Sequence, residues 1–149
     1  MSGEQTVRVE LAQREDYRFD IAFGGTVPPL MGDEPPPLGT GQGPSPVQLL
    51  TASVGNCLCD SLLFALRKFG QAPEPISCTV DAEVGRNAQG RLRVLEMRAV
   101  LRLGVAAGEL KHIERAVSQF DAFCTVTQSV GQSIPITIEV LDASGERLK

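Results

Sequence analysis

The chain has 149 residues, 42% of them apolar, which suits one globular domain with a single core. Its net charge is −4 at pH 7, so it lacks the basic surface that nucleic acid or an anionic membrane would require. The first residues, MSGEQTVRVELAQRED, contain no basic segment followed by an apolar one, and no stretch approaches an uncharged membrane span. We therefore expect a cytoplasmic protein that binds neither membrane nor nucleic acid, with its four cysteines as free thiols.

Alternating apolar residues near the N-terminus predict a β-hairpin that turns at residues 13–16. The alternation covers Val7, Val9 and Leu11 before the turn and Tyr17, Phe19, Ile21 and Phe23 after it. Residues 24–45 are so rich in Gly and Pro that their composition excludes a strand ladder or a helix. We interpret this segment as a long loop within a single domain spanning residues 1–149.

A long central helix is predicted after this loop. Ser45 is placed as its N-cap, Pro46 as its first helical residue, and Gln48 closes a capping box. The helix is expected to run to Lys68, with Gly70 as its C-terminal stop.

The rest of the chain predicts three further strands and a second helix. The expected elements are strands over 78–84 and 92–103 joined by a turn at 87–90, a helix over 109–120, a helical turn after Cys124, and a strand over 134–140. The alternation in the second of these strands slips at Leu95, as it does at a β-bulge. The order β-β-α-β-β-α-β, connected by hairpins, indicates an α+β domain.

The cysteines divide by their positions. Cys57 and Cys59 are two residues apart on the predicted helix, and such residues point to different sides, which argues against a shared metal ion or a disulfide between them. The periodicity places Cys57 on the buried stripe. Composition alone interprets each cysteine as a small buried hydrophobe, and for Cys59 and Cys78 this interpretation stands. The lone His112 is expected to be solvated, and no metal site or cofactor is expected.

Three motifs, taken in order, resemble the OsmC/Ohr superfamily of osmotically inducible protein C and organic hydroperoxide resistance proteins. They are GPSPVQLL at 43–50, ASVGNC at 52–57 and FCTVTQSV at 123–130. The resemblance implies an OsmC/Ohr-like fold with antiparallel sheets around the long central helix. It also implies an intertwined homodimer with two cysteine sites at its interface.

The same resemblance implies a thiol-dependent peroxidase. Cys57 is then the peroxidatic thiol that attacks the O–O bond, and Cys124 is the resolving thiol that closes a disulfide with it. Only the thiolate is a competent nucleophile, so a cation must stabilise it. Arg14 is the aligned choice for this cation and Arg18 the reserve. The resemblance implies an organic hydroperoxide as substrate and a dithiol, such as a lipoyl group, as reductant.

The sequence departs from the family pattern in three places, which indicates a divergent OsmC-like branch. Val47 stands where the peroxidases carry the glutamate that holds the arginine, and Asp60 is the candidate that could pair with Arg14 instead. Thr125 replaces the proline that follows the resolving cysteine, and Cys59 is an additional thiol.

Two functions stay open at this point. The first is reduction of organic hydroperoxides in defence against oxidative and osmotic stress. The second is a non-peroxidase OsmC-like dimer that binds a small apolar ligand at its interface and uses its cysteines only for packing. The missing carboxylate at Val47 favours the second, whereas both motif cysteines favour the first.

Overall fold

The structure, a computed structural model, describes residues 3–149 and divides into two compact units. The first unit ends at Leu49, and the second comprises Leu50–Lys149. The boundary falls inside the long helix α1 (Pro46–Lys68). The single domain expected over residues 1–149 stays a prediction.

The first unit contains a three-stranded antiparallel sheet. Its strands β1 (Glu10–Glu15), β2 (Arg18–Ala22) and β3 (Leu30–Gly32) lie in the order β1-β2-β3. The predicted hairpin is confirmed, but it turns at Asp16 and Tyr17 rather than at 13–16. The expectation that residues 24–45 hold no ladder was wrong, because the short apolar run that forms β3 pairs with β2.

The Gly/Pro-rich segment is organised around Asp33, whose side chain is only 3% exposed. The carboxylate accepts hydrogen bonds from the Thr40 hydroxyl at 2.5 Å and from the backbone N–H groups of Glu34 at 2.7 Å and Gln42 at 3.1 Å. These bonds, with that of the Thr40 hydroxyl foremost, stabilise the ionised form and lower the pKa of Asp33 to about 2. The loop is therefore an ordered structure that folds around one buried charge.

Helix α1 has the predicted bounds and the predicted cap. The Ser45 N–H donates to Gln48 Oε1 at 2.9 Å, and the Gln48 N–H donates to Ser45 Oγ at 3.2 Å, which completes the capping box. At the other end the Gln71 N–H donates to the Leu66 carbonyl at 3.0 Å, across Gly70 with its φ of 72°. Glycine adopts this left-handed conformation without steric cost, so the helix ends there.

The second unit contains a mixed sheet of β4 (Ser77–Arg86), β5 (Leu92–Arg102) and β6 (Ile136–Leu141), in the order β4-β5-β6. Strands β4 and β5 are antiparallel, and their register confirms the predicted slip at Leu95. Strands β5 and β6 are parallel. The expectation of antiparallel sheets connected only by hairpins was therefore wrong, because a parallel pair requires a crossover connection and the helical segment between β5 and β6 provides it.

This crossover contains shorter helices than the sequence predicts. A 3-10 turn at Ala107–Glu109 is followed by α2 (Glu114–Gln119), a second 3-10 turn at Phe120–Phe123 and α3 (Thr125–Val130). The predicted helix over 109–120 is interrupted because His112 has a φ of 53°, which is incompatible with a right-handed helix. His112 is exposed, and the predicted helical turn after Cys124 is confirmed as α3.

The core of the second unit lies between the buried face of α1, the mixed sheet and the crossover. Its fully buried side chains include Val54, Leu58, Leu62 and Leu66 of α1, Met97, Ala99 and Leu101 of β5, Val140 of β6, and Phe120 and Cys124 of the crossover. By length and composition alone α1 could cross a membrane, contrary to the expectation that no stretch approaches a span. The core helix of a globular domain meets the same criterion, and Val54, Leu58, Leu62 and Leu66 of α1 lie in the core of the second unit.

Candidate thiol site

Leu58, and not Cys57, lies at the centre of the buried face of α1. Val54, Leu58 and Leu62 are four residues apart and fully buried, whereas Cys57 and Cys59 are only partly buried. Because successive helical residues are about 100° apart, the two cysteines flank Leu58 on opposite sides. The expectation that Cys57 lies on the core stripe was therefore wrong, since the stripe runs through Leu58.

On one flank, Cys57 packs against the core cluster that contains Cys124, and the two thiols lie close enough to influence each other's pKa. Cys124 is fully buried at the start of α3, and its Sγ donates to Thr127 Oγ1 at 2.9 Å. Helix α1 and the crossover thus bring together the two cysteines to which the sequence assigns peroxidatic and resolving roles. Those roles stay predictions. The sequence gives only one indication of the contact between Cys124 and Thr127: the two residues are three positions apart at the start of a helix.

The surroundings of Cys124 favour its neutral thiol. Burial raises the pKa of Cys124, and the hydrogen bond and negative charge of a neighbouring Cys57 thiolate raise it further. The hydrogen bond with Thr127 acts in the opposite direction, and the raising effects prevail. The neutral thiol of Cys124 is therefore favoured over its thiolate more strongly than in a free cysteine.

On the other flank of Leu58, the thiols of Cys59 and Cys78 lie close enough to influence each other's pKa. This second pair joins α1 to β4, and the sequence analysis did not predict it. The available signal was an apolar alternation that turns Cys78 inward on β4, combined with Gly55 one turn before Cys59, where the helix can approach a strand closely.

The charged candidates of the site lie in different units. Arg14, in β1, forms a two-point ion pair with Asp20 of β2, at 2.9 Å from its terminal nitrogen and 3.3 Å from its Nε. Arg18 pairs with Glu15 and donates to Gln42 Oε1 at 3.2 Å. Both arginines belong to the first unit.

Asp60 lies on the exposed side of α1, in the second unit. Its carboxylate accepts a hydrogen bond from Asn56 Nδ2 at 3.0 Å. The pairing of Arg14 with Asp60, and the action of Arg14 on Cys57, would join the two units and stay predictions.

An apolar groove with a volume of about 700 Å³ lies between α1 and the crossover. It is lined by Asp60, Ser61, Phe64, Lys68, Arg115 and Phe123, among others. Asp60 and Ser61 follow Cys57 by one helical turn and share its side of α1, and Phe123 immediately precedes Cys124, although neither cysteine lines the groove. Phe64 is 71% exposed and Phe123 is 80% exposed. The sequence analysis did not single out these two aromatic residues.

Comparison with protein families gives a clear assignment. Residues 39–139, more than half of the chain, match the family model described as OsmC-like protein. The chain belongs to the OsmC-like family. No curated protein sequence is similar enough to this OsmC-like chain to count as a match.

Solved structures share the fold of this OsmC-like protein at low sequence identity. An OsmC-like protein of unknown function from Vibrio cholerae is 14% identical with a TM-score of 0.78, covering 93% of this chain and 100% of its own. The organic hydroperoxide resistance protein OsmC of Legionella pneumophila is 15% identical with a TM-score of 0.70, covering 93% and 98%. OhrB, the organic hydroperoxide resistance protein of Bacillus subtilis, is 16% identical with a TM-score of 0.69, covering 91% and 98%. The α+β OsmC/Ohr fold predicted from the motifs is thereby confirmed.

Proposed function

We propose that this OsmC-like protein reduces organic hydroperoxides with Cys57 and Cys124, in defence against oxidative and osmotic stress. The observation that carries the proposal is the close approach of a partly exposed thiol, Cys57, to a fully buried one, Cys124. A peroxide can reach the first but not the second. Relatives with this fold that are called organic hydroperoxide resistance proteins support the same activity.

The chemistry proceeds in two steps. The Cys57 thiolate attacks the terminal peroxide oxygen, the O–O bond breaks, the alkoxide takes up a proton to leave as an alcohol, and Cys57 becomes a sulfenic acid. The sulfur of Cys124 then attacks the sulfur of Cys57 and displaces hydroxide. The proton of the Cys124 thiol converts this hydroxide to water, and a disulfide joins the two residues. A thiol that stays protonated until this moment suits the resolving role.

The groove between α1 and the crossover suits the organic part of the substrate. Its aromatic walls, Phe64 and Phe123, can cover an alkyl or aryl group while the peroxide end points toward Cys57. Arg14 is proposed to stabilise the thiolate, and Asp60 is a possible further partner of that arginine. A dithiol such as a lipoyl group is proposed to reduce the disulfide again.

We further propose a cytoplasmic homodimer. All four cysteines are free, in agreement with a reducing compartment. The exposed aromatic residues Phe64, Phe69 and Phe123 line one groove, and we propose that a second copy of the chain covers part of this apolar surface.

Titration of thiols tests the activity. In the Cys59→Ser/Cys78→Ser variant only Cys57 and Cys124 remain, and one equivalent of cumene hydroperoxide should remove both thiols and leave a disulfide between them. The matched control is the Cys57→Ser/Cys124→Ser variant, which should consume no peroxide at a comparable rate. Equal consumption by the two variants would show that the reactivity does not belong to the Cys57–Cys124 pair.

The second candidate function is binding of a small apolar ligand without redox chemistry. It is favoured by the groove and by Val47, which stands where peroxidases carry a glutamate. In this case cumyl alcohol, which has no peroxide bond, should bind to the groove and perturb the spectrum of the nearby aromatic residues. Cumene hydroperoxide should then leave all four thiols intact.

A further inference from the structure

We infer that Cys59 and Cys78 form a second, separate redox pair, which exchanges electrons with small neutral disulfides and thereby links α1 covalently to β4. This inference does not depend on the proposed peroxidase activity, because it uses neither Cys57 nor Cys124.

The geometry that carries the inference is a close approach of α1 to β4 at Gly55. A Cβ atom added at Gly55 would lie only 3.0 Å from Val80 Cγ2 and 3.8 Å from Cys78 Sγ, so no larger residue fits there without displacement of its neighbours. Cys59 follows Gly55 by four residues and therefore lies one turn further along the same helix face. The Cys78 sulfur thus sits against this face at Gly55, one helical turn before Cys59, and the two thiols influence each other's pKa.

Accessibility also supports a reactive pair. Both cysteines are only partly buried, and β4 is an edge strand of its sheet. A small molecule can therefore approach the sulfur of Cys59 without unfolding the core.

The environment distinguishes the two thiols. The hydrogen bond from Cys78 lowers the pKa of Cys59, against the opposing effects of burial and of the neighbouring Asp60 carboxylate. The pKa of Cys78 is raised, because its proton is the one shared with the Cys59 thiolate and because it is partly buried. Cys59 is thus the attacking thiol and Cys78 the resolving one. The negative charge of Asp60 favours neutral disulfides over anionic ones.

The exchange balances with a small disulfide as oxidant. The Cys59 thiolate attacks one sulfur of the disulfide, forms a mixed disulfide and releases one small thiolate. The sulfur of Cys78 then attacks the Cys59 sulfur and releases the second small thiolate. The protons that Cys59 and Cys78 lose convert both leaving groups to thiols, so two electrons pass from the pair to the oxidant. A dithiol reverses the exchange.

The Cys57→Ser/Cys124→Ser variant, treated with 2-hydroxyethyl disulfide, tests the inference. We expect loss of both remaining thiols without retention of the reagent, at a rate several-fold above that with the anionic glutathione disulfide. In the matched variant that also carries Cys78→Ser, Cys59 should instead retain one reagent group as a stable mixed disulfide. Thiols that stay free in the folded variant and react only in denaturant would overturn the inference and identify both residues as packing groups.

Because Cys124 is buried, its replacement could destabilise the variant, and the wild-type chain provides a second measurement. Tryptic cleavage after Lys and Arg places Cys57 and Cys59 together in the peptide 19–67, Cys78 in 69–86 and Cys124 in 116–147. After oxidation by 2-hydroxyethyl disulfide, a cross-link between 19–67 and 69–86 supports the second pair. If 19–67 is found cross-linked only to 116–147, the inference is wrong.

Discussion

Replacement of Phe64 by alanine should selectively impair the reduction of bulky hydroperoxides. Phe64 projects from α1 into the groove, two turns beyond Cys57, and 71% of it is exposed in the absence of substrate. Its removal should therefore cost little folding stability, because the ring buries little surface within the chain. Its main effect should appear only when an organic group lies against it.

The magnitude follows from the area that the substrate can cover. If an aryl group covers about 80 Å² of the ring, at about 25 cal/mol per Å², the contact contributes roughly 2 kcal/mol. Since each 1.4 kcal/mol corresponds to a factor of ten, kcat/KM for cumene hydroperoxide should fall by about 10- to 30-fold. Hydrogen peroxide has no organic group to place on the ring, so its kcat/KM should change by less than about twofold.

The assay compares the two peroxides in parallel, with the Leu92→Ala variant as control. Leu92 is also an exposed apolar residue of the second unit, 59% exposed, but it does not line the groove. Sedimentation of each variant verifies that the oligomeric state is unchanged. Equal loss of activity toward both peroxides in Phe64→Ala would refute the assignment of the groove to the organic part of the substrate.

Four further predictions follow from the site and the fold. Cys57→Ser should abolish peroxide consumption, whereas Cys124→Ser should allow one turnover and accumulate a sulfenic acid that dimedone traps; continued turnover of Cys57→Ser would exclude its role. Val47→Glu should increase the rate of Cys57 oxidation at neutral pH, measured by stopped flow, and an unchanged rate in a folded variant would show that the family's glutamate is not what this site lacks. Asp33→Asn should lower the free energy of unfolding, measured in urea at neutral pH. The difference from wild type should disappear as the pH falls from 3.8, the ordinary pKa of an aspartate, to about 2, the pKa of Asp33 in the folded chain, because the hydrogen bonds stabilise only the ionised carboxylate. A difference that does not change with pH would contradict this. Sedimentation at micromolar concentration should show a dimer, and a stable, folded species of 15.9 kDa would exclude it.

Local signals in the sequence predict several features of both units. The capping box at Ser45 and Gln48, the helix stop at Gly70 and the bulge at Leu95 all lie where the pattern of residues places them. Each of these features is determined by residues close together in the sequence or by the alternation of apolar and polar residues within one strand. The parallel pairing of β5 with β6 is not, because both pairing modes produce the same apolar alternation, and only the path of the helical connection between the strands decides between them.

The site is less accessible to sequence reasoning than the fold. The motifs select Cys57 and Cys124, but the pairing of Cys59 with Cys78 depends on how closely α1 approaches β4. That distance is set by the missing side chain of Gly55, and a one-dimensional pattern does not give distances between elements. The ion pair of Arg14 with Asp20 is missed for a related reason, since the register of the first hairpin differs by a few residues from the predicted turn.

The pair of Arg14 and Asp20 bears on the departure at Val47. Both side chains are largely exposed, so the pair contributes little to folding stability. Its two-point geometry nevertheless orients the guanidinium group toward Asp20. Under the proposed role of Arg14, Asp20 already supplies one carboxylate partner, and the Val47→Glu variant tests whether a second carboxylate increases the rate.

The position of Leu58 keeps the chemistry of the two thiol pairs separate. It is fully buried between Cys57 and Cys59, which project from α1 in directions about 200° apart. Thiol–disulfide exchange requires one sulfur to reach another directly, and a helix holds these two apart as long as it stays folded. Oxidation of Cys57 with Cys124 therefore cannot pass directly to Cys59 and Cys78. If both proposals hold, a chain with four cysteines close to one helix keeps two two-electron pairs apart, one on each side of Leu58.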